Sequence, residues 1–262
     1  MPSETLHKQH IARAFSQAAA SYDNAAVLQQ HSGLHLLRLL EQQFSDGLDN
    51  RTILDIGAGS GWTSQQIRRS GGKVWALDLA EGMLRHIAQH QRADACILAD
   101  AERLPLADHS VDACFSNLAV QWCNLDQAAA EMQRVIRKNG TAAVATLGHG
   151  SLHQLKTAWQ SVGQPAPVNP FLTESEIQTA FQAFADVQIH TETYTQTFPT
   201  LESLLRSLKN IGANHVLQRG NKGLTGKQSW QRLQTAYEPM RDPNGMLPLD
   251  YKMVYIVATG HR

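Results

Sequence analysis

The residues best suited to chemistry in this chain are a carboxylate and three closely spaced glycines, Asp55, Gly57, Gly59 and Gly61, followed by a second carboxylate at Asp78. Glycine lets a turn adopt positive φ and lets the backbone approach a ligand, and the helix that follows points free N–H groups at that ligand. A carboxylate that ends the next strand can accept both hydroxyls of a ribose. The pattern therefore predicts a site for a nucleoside-containing cofactor.

The segments around these residues alternate between strand-like and helix-like patterns. Five strands are predicted near 52–56, 74–78, 95–99, 111–117 and 141–147, and two more near 187–198 and 251–260. Such alternation predicts an α/β fold with right-handed connections and a mostly parallel sheet. Ligands bind such sheets outside the carboxyl ends of the strands, which is where each of these carboxylates and glycines falls.

Two segments are predicted to be helical additions to this sheet. Apolar spacing predicts helix from about 8 to 44, interrupted near 21–23, and a mainly helical pattern separates the last two strands. We expect a single domain in which these additions form a cap and a lid. Its predicted parts are an N-terminal cap at 1–45, a core at 50–197, a lid insertion at 198–247 and a final strand at 248–262.

A short turn is predicted before the fifth strand. Lys138, Asn139 and Gly140 follow a helical run rich in Ala and Gln. Glycine commonly occupies the position just past a helix end, because only glycine adopts the left-handed conformation there without a penalty. We therefore expect Gly140 to cap that helix and the strand to begin at residue 141.

Composition is typical of a globular enzyme rather than of a nucleic-acid or membrane binder. The chain has 262 residues, 42% of them hydrophobic, and a formal net charge of zero, so it has no global attraction for nucleic acid or an acidic membrane. Its three cysteines form no C-x-x-C pair, which suits reduced thiols in the cytoplasm. No membrane span or signal-peptide pattern is visible. We expect a cytoplasmic monomer.

The glycine spacing is G-x-G-x-G rather than the G-x-G-x-x-G of dinucleotide-binding proteins. With Asp78, and with Asp100-Ala101-Glu102 after an apolar run, it resembles the motifs of class I S-adenosylmethionine-dependent methyltransferases. The resemblance implies S-adenosyl-L-methionine as cosubstrate and a Rossmann-like sheet of seven strands with helices on both faces. The cofactor contacts it implies are Asp55, Gly57, Ala58, Gly59, Gly61, Asp78, Leu79, Met83, Asp100, Ala101, Glu102 and Asn117.

Further segments resemble one narrower family, the malonyl-carrier-protein O-methyltransferases of early biotin synthesis. Ser116-Asn117-Leu118-Ala119-Val120-Gln121-Trp122-Cys123 and the stretch 207–215 are the most specific of these. Weaker matches lie at 14–23, 103–106, 146–152, 169–172, 233–237 and 248–251. The glycine loop departs slightly from the family, because many relatives carry Cys and Pro at its middle positions. Both alternatives fit the turn.

This resemblance implies methyl transfer to the free carboxylate of a malonyl thioester, on acyl carrier protein or coenzyme A, giving the methyl ester that primes pimeloyl and biotin synthesis. A carboxyl with a pKa of roughly 4 is ionised at pH 7, so no general base is needed. The protein must instead hold the acceptor carboxylate. The residues that we consider for this role are Tyr22, Gln121, Trp122, Arg206, Lys209 and His215.

A charge asymmetry suits an acidic carrier protein as partner. No acidic residue lies between Ser203 and Gln234, and this stretch contains Arg206, Lys209, Arg219, Lys222, Lys227 and Arg232. A basic surface in the predicted lid would attract an acidic partner. The alternative is a solvated basic surface without a partner.

Other interpretations remain open from sequence. The chain could methylate a quinone precursor or a free polycarboxylic acid, or it could be a regulator that binds S-adenosylmethionine and transfers nothing. Tyr22 and His215 could serve only packing or helix-end roles. Three histidine pairs have metal-ligand spacing, but none has a Cys or acidic third ligand nearby, and we expect no metal. These pairs are His31/His35, His86/His90 and His149/His153.

Overall fold

Strands and helices alternate through the middle of the chain, and the computed structural model joins the strands into one sheet. The structure describes residues 2–19, 22–163, 168, 170–210 and 227–260. The sheet order is β3-β2-β1-β4-β5-β7-β6. The strands are β1 (Thr52–Ile56), β2 (Lys73–Asp78), β3 (Ala95–Leu98), β4 (Val111–Asn117), β5 (Ile136–Leu147), β6 (Asp186–Phe198) and β7 (Leu247–Thr259).

Along the row β3-β2-β1-β4-β5, each strand pairs in parallel with its neighbour. Strand β7 pairs antiparallel with both β5 and β6. The predicted fold class, a Rossmann-like α/β sheet of seven mostly parallel strands, is therefore confirmed. Because the carboxyl ends of β1 to β4 meet at one edge, the fold brings Asp55, Asp78 and Asn117 to that edge. β6 and β7 pair over 13 residues and form a long antiparallel ribbon.

Helices cover both faces of the sheet. Three precede it: α1 (Pro2–Ala18), α2 (Tyr22–Ala25) and α3 (Val27–Glu41). The crossovers contain α4 (Trp62–Arg69), α5 (Glu81–Gln89) and α6 (Leu125–Val135), together with a 3-10 turn at Val120–Trp122. Later come α7 (His153–Ser161), α8 (Glu174–Ala180), α9 (Leu201–Asn210), α10 (Lys227–Tyr237) and a 3-10 turn at Glu238–Met240.

Successive residues of the central strands pack into two separate cores. Ile53 packs in the core that contains Leu36 of α3, whereas Leu54 packs in the core that contains Met132 of α6. All four side chains are fully buried, and burial of such a side chain contributes about 1.5–3 kcal/mol to stability. A sheet buried on both faces holds its carboxyl-end residues in fixed positions.

The N-terminal helices pack directly on the core. In the contact between α1 and α5, the Gly82 N–H donates to Ser16 Oγ at 3.2 Å, and a Cβ on Gly82 would lie 2.7 Å from Ser16 O. Helix occupies most of the stretch predicted to be helical, but two of the three residues of the predicted interruption, Tyr22 and Asp23, lie in α2, and α1 already ends at Ala18. The predicted lid segment contains α9 and α10, while residues 211–226 lie outside the described part.

The prediction for Gly140 is wrong. Helix α6 ends at Val135, because Ile136 is already extended at φ −73° and ψ 137°, and Gly140 lies inside β5. Residue 140 must be glycine for a different reason, because a Cβ there would lie 2.3 Å from the carbonyl oxygen of Asp112. The strand therefore starts five residues earlier than predicted, with a register irregularity against β4. Strand β7 likewise begins at Leu247 rather than near residue 251.

Within the described residues, no helix combines the length and apolar character needed to cross a membrane.

Candidate active site

The glycine loop after β1 has the conformation that its sequence predicts. Gly57, Gly59 and Gly61 have φ values of 68°, 56° and 77°, in the left-handed region that favours glycine. A Cβ on Gly57 would lie only 2.2 Å from Ala119 Cβ, in the loop after β4. Gly57 is therefore fixed by close packing as well as by its backbone conformation.

Asp78, at the end of β2, is held by backbone donors. Its Oδ2 accepts from the Gly59 N–H at 2.8 Å and its Oδ1 from the Ala80 N–H at 2.7 Å. Burial raises the pKa of Asp78, although these N–H donors act in the opposite direction. Each carboxylate oxygen keeps a further lone pair, so Asp78 can still accept the hydroxyls of a ribose.

Asp55 lies in β1 beneath the glycine loop and is 2% exposed. Ser64 Oγ of α4 donates to its Oδ2. Burial raises the pKa of Asp55 to about 7; the Ser64 hydrogen bond lowers it, and the nearby Asp78 charge raises it. A buried carboxyl in this state gains stability from a cationic neighbour.

Asp100 and Glu102 follow β3 and bind a side chain from α1. Lys8 Nζ lies 2.7 Å from Asp100 Oδ2 and 2.6 Å from Glu102 Oε2. Burial lowers the pKa of Lys8, but the hydrogen bonds to these two carboxylates outweigh it and leave the pKa raised. These ion pairs fix the middle of α1 to the segment that follows β3.

Two adjoining cavities lie between the strand ends and the N-terminal helices. The central cavity, of about 100 Å³, extends from Lys8 and Asp100 to Asn117. The loop cavity, of about 40 Å³, is lined by the glycine loop, Asp55 and Gln29. Both are smaller than the roughly 300–1,000 Å³ of typical ligand pockets, so we expect α1, rather than the core-packed α3, to move outward when a ligand enters. The cavities share four lining residues, Tyr22, Gly57, Gly59 and Asn117.

Aromatic side chains cover the central cavity. The Phe15 ring meets Trp122 edge to face, with ring centroids 5.9 Å apart, and lies 6.3 Å from Tyr22. Burial, reinforced by the charges of Asp78 and Asp23, raises the pKa of Tyr22, so its hydroxyl stays protonated at neutral pH. The predicted residues Tyr22 and Trp122 thus both line this cavity.

The loop after β4 contains a strained residue. Leu118 has φ 53°, which is uncommon for a non-glycine residue, and its N–H donates to Ala145 O at 2.8 Å. Gln121 Nε2 donates back to Leu118 O at 2.7 Å. This conformation places Ala119 against Gly57, and backbone strain of this kind is concentrated at functional sites.

Gln121 lines a third and larger cavity of about 510 Å³, between the loop after β4 and α8. This cavity shares Val120 and Cys123 with the central cavity. Two of its lining residues, Asp126 and Glu176, are exposed acids. Their charge makes this side of the molecule unfavourable for an anionic ligand.

Arg206, one of the basic residues predicted to hold a carboxylate, is not brought to these cavities. Arg206 is 63% exposed on α9 and pairs with Glu202 at 2.5 Å, and it lines none of the three cavities. The side chain of Lys209 and the whole of His215 lie outside the described part of the structure. Their roles stay predictions.

Most of the predicted cofactor contacts line the central or the loop cavity. Three do not: Gly61 forms the N-cap of α4, Glu102 binds Lys8, and Met83 is fully buried against α1. Met83 therefore contributes packing beneath the cap. The nine that line a cavity are Asp55, Gly57, Ala58, Gly59, Asp78, Leu79, Asp100, Ala101 and Asn117.

Sequence reasoning missed Lys8, Phe15, Gln29, Ala119 and Cys123 as lining or contact residues. Lys8 reaches Asp100 across 92 sequence positions, and no local pattern signals such a contact. Cys123 is not a nucleophile here, because burial raises the pKa of its thiol to about 12.

Several histidines with metal-ligand spacing have other partners: His31 pairs with Glu192 at 2.9 Å, His35 stacks on Tyr255, and His153 Nδ1 lies 3.8 Å from Asp250 Oδ2. The rings of His86 and His90 contact each other at a tilt, with centroids 4.1 Å apart. In the described ranges, no group of three or more His, Cys, Asp or Glu side chains is arranged to hold a metal ion.

Comparison with known proteins agrees with this geometry. Residues 54–144 match the family described as a methyltransferase domain. Among solved structures, a putative methyltransferase of Bacillus halodurans has a TM-score of 0.60 at 15% identity and covers 88% of this chain and 100% of its own. The Haemonchus contortus phosphoethanolamine N-methyltransferase 2 in complex with S-adenosyl-L-methionine has a TM-score of 0.58 at 14% identity. The match covers 94% of this chain and 57% of that protein. At these identities the likeness shows the fold.

A full-length relative gives the narrower assignment. The malonyl-acyl carrier protein O-methyltransferase of Yersinia pestis is 45% identical over 256 residues, which is 97% of this chain and 92% of the relative. Agreement over this length includes the N-terminal helices and the insertion as well as the methyltransferase domain. The chain therefore belongs to the family of malonyl-acyl carrier protein O-methyltransferases.

Proposed function

We propose that this protein transfers a methyl group from S-adenosyl-L-methionine to the free carboxylate of a malonyl thioester, giving the malonyl methyl ester that primes biotin synthesis. The observation that carries the proposal is the acidic cavity at the carboxyl ends of β1 to β4, roofed by the N-terminal helices. It occurs in a chain 45% identical to a relative named for this reaction.

The residues around the two cavities fit such a cofactor. Asp78 would hold the ribose, Asp100 the adenine, and the glycine loop with Asp55 the amino-acid end. Three carboxylates suit a cofactor with a positively charged sulfonium and ammonium. When bound, S-adenosylmethionine supplies an electrophilic methyl group. Gly57 lines both cavities, although the space that a Cβ on it would take is occupied by Ala119.

The chemistry asks little of the protein beyond positioning. The acceptor carboxylate is ionised at neutral pH, so no group has to remove a proton from it. Two titratable side chains that line the central cavity agree with this, because the raised pKa values of Tyr22 and Cys123 keep both protonated. Alignment of the two reacting groups can contribute on the order of 7–11 kcal/mol to lowering the barrier.

The acceptor would approach from the side of the predicted lid. The acids Asp126 and Glu176 disfavour an anionic ligand at the larger cavity, whereas α9 contacts α2, whose Tyr22 lines the central cavity. Tyr22 and Trp122 line that cavity and are positioned to contact the malonyl group. Gln121, Arg206, Lys209 and His215 stay candidates for holding its carboxylate.

An acyl carrier protein is the partner that the charge of this region favours. Arg206 and Arg232 are exposed on α9 and α10. Lys209 and Lys227 belong to the same helices, while Arg219 and Lys222 lie outside the described residues. An acidic carrier would gain mainly in association rate from such a surface.

The free cysteines Cys96, Cys114 and Cys123 suit a reducing cytoplasm.

The proposal is tested by mass spectrometry of acceptors after incubation with the protein and S-adenosylmethionine. We expect malonyl-carrier protein or malonyl-coenzyme A to gain one methyl group, and acetyl thioesters to gain none because they lack a free carboxylate. Methylation of free aconitate or a quinone precursor alone would contradict the assignment of substrate. Cofactor binding without turnover on any acceptor would favour a regulator.

A further inference from the structure

Gln29, on α3, carries a buried polar atom without a partner. Its side-chain Oε1 is buried and accepts no hydrogen bond. A buried acceptor left unsatisfied costs about 1–3 kcal/mol, and such atoms in folded proteins usually have a partner. Gln29 is also one of the residues that line the loop cavity, together with Asp55 and the glycine loop. The missing partner is therefore expected in that cavity.

The backbone of Gln29 is fixed on the end of β4. Asn117 Nδ2 donates to Gln29 O at 2.8 Å, and Ser32 Oγ donates to Asn117 Oδ1 at 2.7 Å. Close packing of α3 against α4 adds to this, because a Cβ on Gly33 would lie 2.8 Å from Thr63 Oγ1. Asn117, predicted as a cofactor contact, thus uses its side chain to position α3. Gln29 is held at the cavity rather than mobile on a surface helix.

The other groups around the loop cavity narrow the chemistry of its ligand. Asp23 is occupied, since it pairs with Arg92 at 2.7 Å and accepts from Ser60 Oγ. Gln29 Oε1, which has no partner, and the Asp55 carboxylate, which accepts from Ser64 Oγ at one oxygen, are side-chain acceptors that line this cavity. A group with several N–H donors and a positive charge satisfies both, whereas a carboxylate would be repelled by both.

We propose that Gln29 Oε1 and Asp55 together bind the ammonium group at the amino-acid end of the methyl donor, so that the N-terminal helix α3 supplies half of this subsite. The inference rests on the proposed function, which identifies the donor. It adds a binding residue from outside the strand–loop core and makes the fixed position of α3 part of cofactor binding. Asn117 acts here as a positioning residue.

The test compares two ligands by isothermal titration calorimetry on the full-length protein. S-adenosylhomocysteine carries the ammonium group, and 5′-methylthioadenosine lacks the whole amino-acid end. We expect Gln29→Leu to weaken S-adenosylhomocysteine about 10- to 100-fold, since a hydrogen bond to a charged group is lost. Binding of 5′-methylthioadenosine should be unchanged. Gln29→Glu keeps the acceptor oxygen and should retain affinity for S-adenosylhomocysteine.

Each outcome separates the alternatives. Equal losses for the two ligands in Gln29→Leu would overturn the proposal and indicate a general defect of the cap, as would an unaltered affinity for S-adenosylhomocysteine. A collapse of binding in Gln29→Glu would place Gln29 at the ligand carboxylate instead, which also contradicts it. Gln42→Leu, at the exposed end of α3, is the matched control. Failure of the wild type to bind either ligand would count against the proposed function itself.

Discussion

The cofactor site has a floor and a roof that are built in different ways. The floor consists of the glycine loop and the carboxylates at the ends of β1 to β3, and its contacts run through backbone N–H groups and short side chains. The roof consists of α1 to α3, and it reaches the site with long side chains such as Lys8, Phe15 and Gln29. The floor belongs to a sheet that is buried on both faces, whereas each roof helix buries only one of its faces.

This difference indicates a division of labour. A rigid floor can fix the cofactor without reorganisation, which favours catalysis by alignment. Within the roof, α1 is attached to the floor by side-chain contacts such as that of Lys8, whereas α3 packs in the main core, so we expect α1 to open and close at lower cost than α3. Substitutions in the floor should therefore have larger effects than substitutions in the roof.

The largest effect is expected for Gly57→Ala. The new Cβ would meet Ala119 Cβ, and alanine at φ 68° is strained. We expect affinity for S-adenosylmethionine to fall on the order of 100-fold or more, measured by calorimetry. Gly59→Ala is the matched control, because its φ is similar but its nearest contact is Tyr22 Cε1 at 3.8 Å. Equal losses in the two variants would show that packing against Ala119 is unimportant.

Asp78→Asn should come next. Asparagine keeps the size of the side chain but replaces one acceptor oxygen by a donor, so one of the N–H bonds from Gly59 and Ala80 is lost together with a ribose acceptor. We expect cofactor affinity to fall roughly 10- to 100-fold with little change in thermal stability. Asp126→Asn, at the exposed start of α6, should leave binding unaltered. An undiminished cofactor affinity in Asp78→Asn would show that Asp78 does not contribute to binding the ribose.

The unfolding free energy should also depend on pH because of Asp55, which lies in the floor. Its pKa in the folded protein, about 7, lies above the unfolded value of roughly 3.9, so the folded state binds more protons between these values. The contribution of Asp55 to stability is therefore lost as pH rises from about 4 to 7. Relative to wild type, Asp55→Asn should gain about 2 kcal/mol in unfolding free energy between pH 5 and 7, measured by urea denaturation without ligand. A pH-independent difference would contradict this.

The smallest effect is expected in the roof, for Lys8→Met. This variant keeps the packing stem but breaks the ion pairs with Asp100 and Glu102. Because the Lys8 side chain is only 17% exposed, breaking its ion pairs should have a larger effect than breaking a surface pair. We expect cofactor affinity to fall about three- to tenfold. The wild-type advantage should shrink at high salt. Arg85→Met, which breaks an exposed pair with Glu81, should change nothing. A loss as large as that of Asp78→Asn would abolish the distinction between floor and roof.

The same division explains what the sequence could predict. Glycine spacing, strand periodicity and the acids after each strand are local signals, and they predicted the sheet and the floor. Gly140 was misread because its close approach to Asp112 depends on strand pairing rather than on neighbouring residues. Lys8 was missed because its partners follow a strand far along the chain, and Gln29 because the cavity that it lines is completed by the distant glycine loop. Arg206 was considered for its charge, but the position of α9 leaves its side chain exposed beside Glu202.

The central claim is methyl transfer to a carboxylate oxygen of a malonyl thioester. A malonyl group also has an acidic carbon between its carbonyls, and methylation at carbon or oxygen gives the same mass. The most direct measurement is therefore ¹³C NMR of malonyl-carrier protein after reaction with S-adenosylmethionine labelled in the methyl group. The account predicts a methyl ester signal that disappears on mild alkaline hydrolysis. A carbon-bound methyl signal, or label on the acetyl control, would contradict it.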